Sequence, residues 1–290
     1  MELFEQPEKT QQAIRRCTSE DGLKRVITGV VLIPIIVYIV LYTSVYWVLG
    51  ISTVLTFLAL REFGGLSPVK ERNRVFEWVW ALLGASFPLV LYFYGPDVLL
   101  PLFIPVVFIL FAFSMAGRME LREASLDLSH KALGLVYLAL PLSFLGLMPV
   151  LDGGKWWLLF MLVVVWANDT CAYFTGKFLG KHKLSPEISP KKTLEGAAGG
   201  ILGGAVAAVL FGYFADLGHE AWKIFVLSLL VGVVAMIGDL AESFYKRSAG
   251  VKDSGSIFPG HGGVLDRIDS LVFAVPLVFF YLVLHNFKIL

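Results

Sequence analysis

Apolar residues in this chain come in long unbroken blocks, and no soluble core needs blocks of that length. They run near residues 26–43, 45–61, 76–94, 98–115, 132–149, 156–175, 197–215, 222–243 and 269–287. Most are roughly 18 to 24 residues, the length at which a helix crosses the hydrocarbon core of a bilayer. In lipid every backbone N–H and C=O must find its partner inside the chain, and helices do this within each block. Composition agrees: 57% of the 290 residues are hydrophobic and 16% are charged, where a soluble domain carries about 25% charged residues. The reading is an all-α polytopic membrane protein of about nine transmembrane helices. A polar tail (residues 1–25) precedes N-terminal spans over 26–150. A C-terminal region over 151–290 holds about four spans and the loops 176–196 and 244–268.

The tail lacks the short apolar segment and cleavage site of a secretory signal, so it is expected to remain. Cys17 and Cys171 form no pattern, which supports neither a disulfide framework nor a zinc site. Around Thr43 and Ser44 the first two spans nearly touch, as a tight hairpin or as the bend of one kinked helix. The positive-inside rule separates these alternatives. With nine spans and a cytoplasmic N-terminus, 21 of the 24 lysines and arginines fall inside, and only Lys155, Lys223 and Lys288 fall outside. Eight spans would set the basic segment 61–75 opposite the basic tail. The expectation is therefore nine spans, N-terminus in and C-terminus out.

Gly196, Gly200 and Gly204 recur every four residues, as do Gly199 and Gly203. Small residues at that spacing let membrane helices approach closely; a lining role beside a ligand is the other reading.

Ionisable groups within or at the ends of spans are expensive and call for a functional reason. Asp169 and Tyr173 stand at i and i+4 near the cytoplasmic end of the sixth span. Asp239, Glu242, Ser243 and Lys246 share one face of the eighth, and Asp266 and Asp269 are i and i+3 at the entry of the ninth. Each has an ordinary alternative. Asp266 or Asp269 would cap the ninth span, Glu242 and Lys246 would form an i,i+4 pair, and Asp169 would bond a neighbouring helix. Together, five carboxylates at one depth repel unless a cation or basic side chains neutralise them. Hard oxygen ligands suit Mg²⁺, which keeps waters and binds substrate phosphates. The same side supplies Lys177, Lys181, Lys183, Lys191 and Lys192 in one loop and Lys246, Arg247, Lys252 and Arg267 in the next. Glycines 255, 260, 262 and 263 allow backbone N–H groups to close on an anion. Residues 181–192 also read as a topology signal or a binder of anionic lipid. Metal, basic groups and a bilayer together suggest phosphoryl or nucleotidyl transfer onto a lipid.

The stretch from Ser243 to Asp269, SFYKRSAGVKDSGSIFPGHGGVLDRID, resembles the signature of the phosphatidate cytidylyltransferases, the CDP-diacylglycerol synthases. That signature reads Ser, two positions, Lys-Arg, four positions, Lys-Asp, then a Pro/Gly-x-His-Gly-Gly element and Asp-Arg-x-Asp. Every fixed residue is present. Tyr245 departs from the usual aliphatic, Met or Phe. WANDTCAYFTGK, SPKKTLEG and GDLAESFYKR extend the likeness over roughly residues 160–285.

The resemblance implies transfer of a cytidylyl group from CTP to phosphatidic acid, giving CDP-diacylglycerol and pyrophosphate with Mg²⁺. It also implies a homodimer in a bacterial inner (plasma) membrane, with the active site facing the cytoplasm and no nucleic-acid partner. Family members hold paired cations between aspartates of the eighth and ninth spans, here Asp239 and Asp266 with Ser243 close by. Asp169 is assigned to a second cation, K⁺ or Mg²⁺, or to orienting a basic residue. Lys246, Arg247, Lys252 and Arg267 are expected to share the phosphates. Lys191, Lys192, Tyr173, Asp253, His261, Gly262, Gly263 and Asp269 complete the expected substrate site. Two rivals remain: a CTP-using lipid kinase of the polyprenol kinase type, and a secondary transporter for an anion or coupled protons.

Overall fold

The computed structural model describes residues 32–69, 73–117, 119–218, 220–257 and 262–286. The expected tail 1–25, with Cys17, and His261 lie outside them. Residues 1–43 and 44–290 form two separate compact units. Of the first, the described helix is α1 (Leu32–Tyr42). Tyr38 and Tyr42 stack along it with ring centroids 5.6 Å apart.

The second unit runs α2 (Val45–Gly65), α3 (Arg74–Tyr94), α4 (Leu99–Ala116), α5 (Leu121–Gly134), α6 (Leu140–Leu147), α7 (Gly154–Leu179), α8 (Leu194–Phe214), α9 (Ala221–Ser248) and α10 (Leu265–Asn286). A π-helical turn, Leu135–Ala139, joins α5 to α6. With α5 and α6 taken as one run, Leu121–Val150, eight helices among the described residues are long and apolar enough to cross a membrane. The shorter α1 is the described part of the expected span at 26–43. Ser44 leaves helical geometry at φ −69° and ψ 155°, which breaks the chain between the first two expected spans.

Two segments differ most from the sequence reading. The span expected at 132–149 is preceded by eleven further helical residues from Leu121. There the buried Asp127 and Lys131 form an i,i+4 ion pair, and charge enters the helix already neutralised. The loop 176–196 is shortened by α7 and adds an element that the all-helical reading did not contain. It is an antiparallel hairpin of β1 (Lys183–Ser185) and β2 (Ser189–Thr193).

α4 illustrates the solvent. Its sequence, LLPLFIPVVFILFAFSMA, is apolar all round, yet only 11% of its spanning window is buried. Such a surface is stable against hydrocarbon and not against water. The C-terminal helices pack on one another: α7 lies along α8, α9 on α8 and α10, and α10 also touches α6 and α7.

The glycine stripe of α8 produces the tightest of these contacts. A Cβ on Gly200 would lie 2.8 Å from the Asn168 carbonyl and 2.8 Å from the Ala172 methyl; one on Gly196 would lie 2.9 Å from the Ala172 carbonyl. The two backbones therefore meet at a separation no side chain permits. We expect Gly200→Ala to cost about 1–3 kcal/mol through overpacking and to lower the melting temperature in detergent. Gly50→Ala, where a Cβ meets nothing within 4 Å, should not lower it.

Candidate active site

The approach of α8 to α7 sets one wall of a cavity of about 380 Å³. α7 contributes Asn168, Asp169, Tyr173 and Lys177; the hairpin contributes Leu184, Lys191 and Lys192; α9 contributes Met236 and Asp239. The hairpin is fixed at its base by α8. Thr193 caps that helix, accepting the Gly196 N–H at 3.1 Å. Glu195 accepts the Lys181 and His182 N–H groups at 3.0 and 3.2 Å, and the His182 ring at 2.6 Å. With its frame held, β2 directs Lys192 across the cavity to Asp239, Nζ to Oδ2 2.5 Å. Asp239 also accepts the Ser243 hydroxyl at 3.4 Å, one helical turn along.

α9 and α10 build the second part of the site. Gly238 permits their closeness, since a Cβ there would lie 2.5 Å from the Asp269 carbonyl. The expected i,i+4 pair is present, with Lys246 bonding Glu242. Glu242 is completely buried, however, and the Lys246 ammonium also reaches Asp266 Oδ1 at 2.6 Å. Asp266 Oδ2 accepts the Ser254 N–H at 2.9 Å and the Gly263 N–H at 2.7 Å. Glycine is required beside it. Gly262 has φ +82°, and a Cβ would lie 2.6 Å from that same oxygen.

Neither Asp266 nor Asp269 caps α10. The capping group is Glu62 of α2, which the sequence reading did not single out. Its Oε1 accepts the Val264 N–H at 2.9 Å and its Oε2 the Leu265 N–H at 2.8 Å. Gly255 and Gly263 leave room for it, as a Cβ on either would overlap its carboxylate. The available signal was an acid at a span end, in LREFGGL. Of the glycines expected to bind an anion, Gly263 turns its N–H to the Asp266 carboxylate.

The remaining expected residues are more peripheral. Arg247 donates to the carbonyls of Ile188 and Val251, both at 3.3 Å, and so pins the hairpin turn to the end of α9. Lys252, Asp253 and Arg267 are exposed, and Lys191 and Tyr173 face the cavity from its rim. Asp269 is held by the Ser270 N–H at 2.6 Å. It feels the charges of Asp239 and Asp169, which links the cavity to the α9–α10 contact.

Asp169, Asp239, Glu242, Asp266 and Asp269 thus form a chain of carboxylates, with Lys192 and Lys246 paired to them. Among the described residues no three His, Cys, Asp or Glu side chains stand together as a ready-made metal cage. The donors fit Mg²⁺ by chemistry, because it takes one or two carboxylates and completes its shell with water and substrate phosphate.

A model of the cytidylyltransferase family matches residues 23–285. The chain belongs to the cytidylyltransferase family. The phosphatidate cytidylyltransferase of Staphylococcus saprophyticus is 34% identical over 230 residues, covering 78% of this chain and 86% of that protein. That of Staphylococcus haemolyticus is 36% identical over 175 residues, 60% of this chain and 66% of its own length. That of Staphylococcus epidermidis reaches 46% identity over 125 residues, 43% of this chain and 48% of its own. The family match encloses every carboxylate and lysine of the site described above.

Removing one partner of a buried ion pair costs about 3–5 kcal/mol, because the other charge is left uncompensated. Lys246→Met should therefore lower the melting temperature sharply through the fully buried Glu242. Lys246→Met combined with Glu242→Gln should recover much of the loss, as read by thermal unfolding in detergent.

Proposed function

We propose that this protein transfers the cytidylyl group of CTP to phosphatidic acid, producing CDP-diacylglycerol and pyrophosphate. The observation that carries this reading is the chain of acids and lysines beside a membrane-level cavity, lying inside the segment that matches the cytidylyltransferase family. The relatives named above are phosphatidate cytidylyltransferases, and their chemistry uses the groups this site offers.

The reaction joins two anions. A phosphomonoester has its second pKa near about 6, so the phosphatidate oxygen is already a nucleophile at neutral pH. It attacks the α-phosphorus of CTP in line, the bond to the β-phosphate oxygen breaks, and pyrophosphate leaves with that electron pair. No general base is required. The protein's part is to position both substrates and offset their charge. Lys191 and Lys192 on the hairpin serve the phosphates at the cavity, while Lys246, Arg247, Lys252 and Arg267 serve them from the α9–α10 side. Tyr173, Asp253, His261, Gly262, Gly263 and Asp269 belong to the substrate site in this reading.

Asp239 and Asp266 are the residues that would hold Mg²⁺, with Ser243 beside Asp239 and Asp169 directed to a second cation, K⁺ or Mg²⁺. A bound divalent ion supplies charge neutralisation at the phosphates and at the departing pyrophosphate. Lys192 and Lys246 lie 2.5 and 2.6 Å from those carboxylates. Lys192 is placed to pass from Asp239 to a phosphate oxygen as substrate arrives, while Lys246 remains with Glu242. In this reading the site works on the cytoplasmic face of a bacterial inner membrane, which the lysine and arginine skew supports and where CTP is found. A homodimer is the proposed assembly.

Purified protein given CTP labelled at the α-phosphate, phosphatidic acid and Mg²⁺ should place label in the lipid. Unlabelled lipid with free CDP would instead indicate a kinase. Asp239→Asn and Asp266→Asn should each abolish Mg²⁺-dependent labelling while the protein stays folded in detergent. Normal turnover in both would remove the metal assignment.

A further inference from the structure

Glu62 stands apart from every residue that the signature names, about 200 positions upstream of its partners. It is 8% exposed and comes from α2, a helix of the N-terminal half. Its two oxygens meet three donors: the N–H of Val264, the N–H of Leu265 and the Ser254 hydroxyl, the last at 3.0 Å. The first two are orphan donors at the start of α10, where the helix dipole also favours a negative charge. The third is shared. Ser254 Oγ lies 2.9 Å from Asp266 Oδ2 as well, and a hydroxyl has one proton for the two carboxylates.

We propose that Glu62 is a positioning residue for the cytidylyl transfer, holding Asp266 in place for its cation through Ser254 and the first turn of α10. This rests on the reading of Asp266 as a metal-holding group. Geometry makes the link specific. Asp266 is the second residue of α10, so its carboxylate moves with the turn that Glu62 caps. Gly255 and Gly263 are both incompatible with a side chain because the Glu62 carboxylate fills that space. Glu62 also uses up the Val264 and Leu265 N–H groups. Substrate phosphate therefore meets side-chain cations at this point and not the helix terminus.

Glu62→Gln tests this. The amide keeps the side chain's size but presents an NH₂ to a site lined by donors, leaving one backbone N–H unpaired. The turnover number should fall by about 10- to 100-fold, the effect usual for residues that orient metal-holding groups. The Mg²⁺ concentration for half-maximal rate should rise by a similar factor. Independently of activity, hydrogen exchange at the Val264 and Leu265 amides should be slow in the wild type and faster in Glu62→Gln. Unchanged exchange with an unchanged Mg²⁺ midpoint overturns the proposal. So does a fall in rate and melting temperature with no shift in that midpoint, which is the mark of a merely structural role. If Glu62→Gln does not fold, Ser254→Ala carries the test, and an unmoved Mg²⁺ midpoint there overturns the link to Asp266. A wild type that makes no CDP-lipid overturns the reaction itself and this role with it. It is told apart from failure of Glu62 alone, in which the wild type makes CDP-lipid and the Mg²⁺ midpoint of the variant is unmoved.

Discussion

Lys246 is ion-paired with two carboxylates at once, and the C-terminal half of the site depends on that ammonium. One partner, Glu242, is fully buried on its own helix, and the other, Asp266, sits on the next. Charge taken out of water survives only when it is paired. Loosening the α9–α10 contact would part Asp266 from the ammonium that balances it. Gly238 brings the two backbones close enough for one lysine to serve both. The result is a rigid junction at the membrane rim, where phosphate chemistry has to be done.

A second junction ties this rim to the N-terminal half. Glu62 caps α10 from α2, and the neighbouring Phe63 stacks on His130 of α5 at 4.2 Å and meets the Tyr245 ring of α9 at 5.1 Å. His130 returns a hydrogen bond to the Phe63 carbonyl at 2.8 Å. The N-terminal spans are thus more than a membrane anchor, since they fix the segment between α9 and α10 by polar and aromatic contacts together. On the opposite side the hairpin does the equivalent for Asp239, held by Glu195 and Thr193 at its base and by Arg247 at its turn.

Much of this was legible in the residues. Hydropathy located the spans, and period-3.6 spacing placed Asp239, Glu242, Ser243 and Lys246 on one face. Both follow from local geometry that a helix imposes on any sequence. The glycine stripe of α8 was read as close packing or as ligand lining. Gly196 packs against α7 and also borders the cavity. Glu62 escaped notice because its meaning lies in partners about 200 residues away, and nothing in LREFGGL hints at them. The choice between a capping and a metal-holding role for Asp266 was also beyond local pattern.

By itself, then, the sequence determined that the chain folds as membrane-spanning helices, and that acids, lysines and glycines gather at one end of the last few. Those outcomes depend on period, length and solvent, which are properties of short segments. Tertiary structure decided which acid meets which lysine, that the signature glycines make room for carboxylates, and that a distant glutamate caps the final helix. Such pairings are set by distances between separate helices, and no local spacing encodes them.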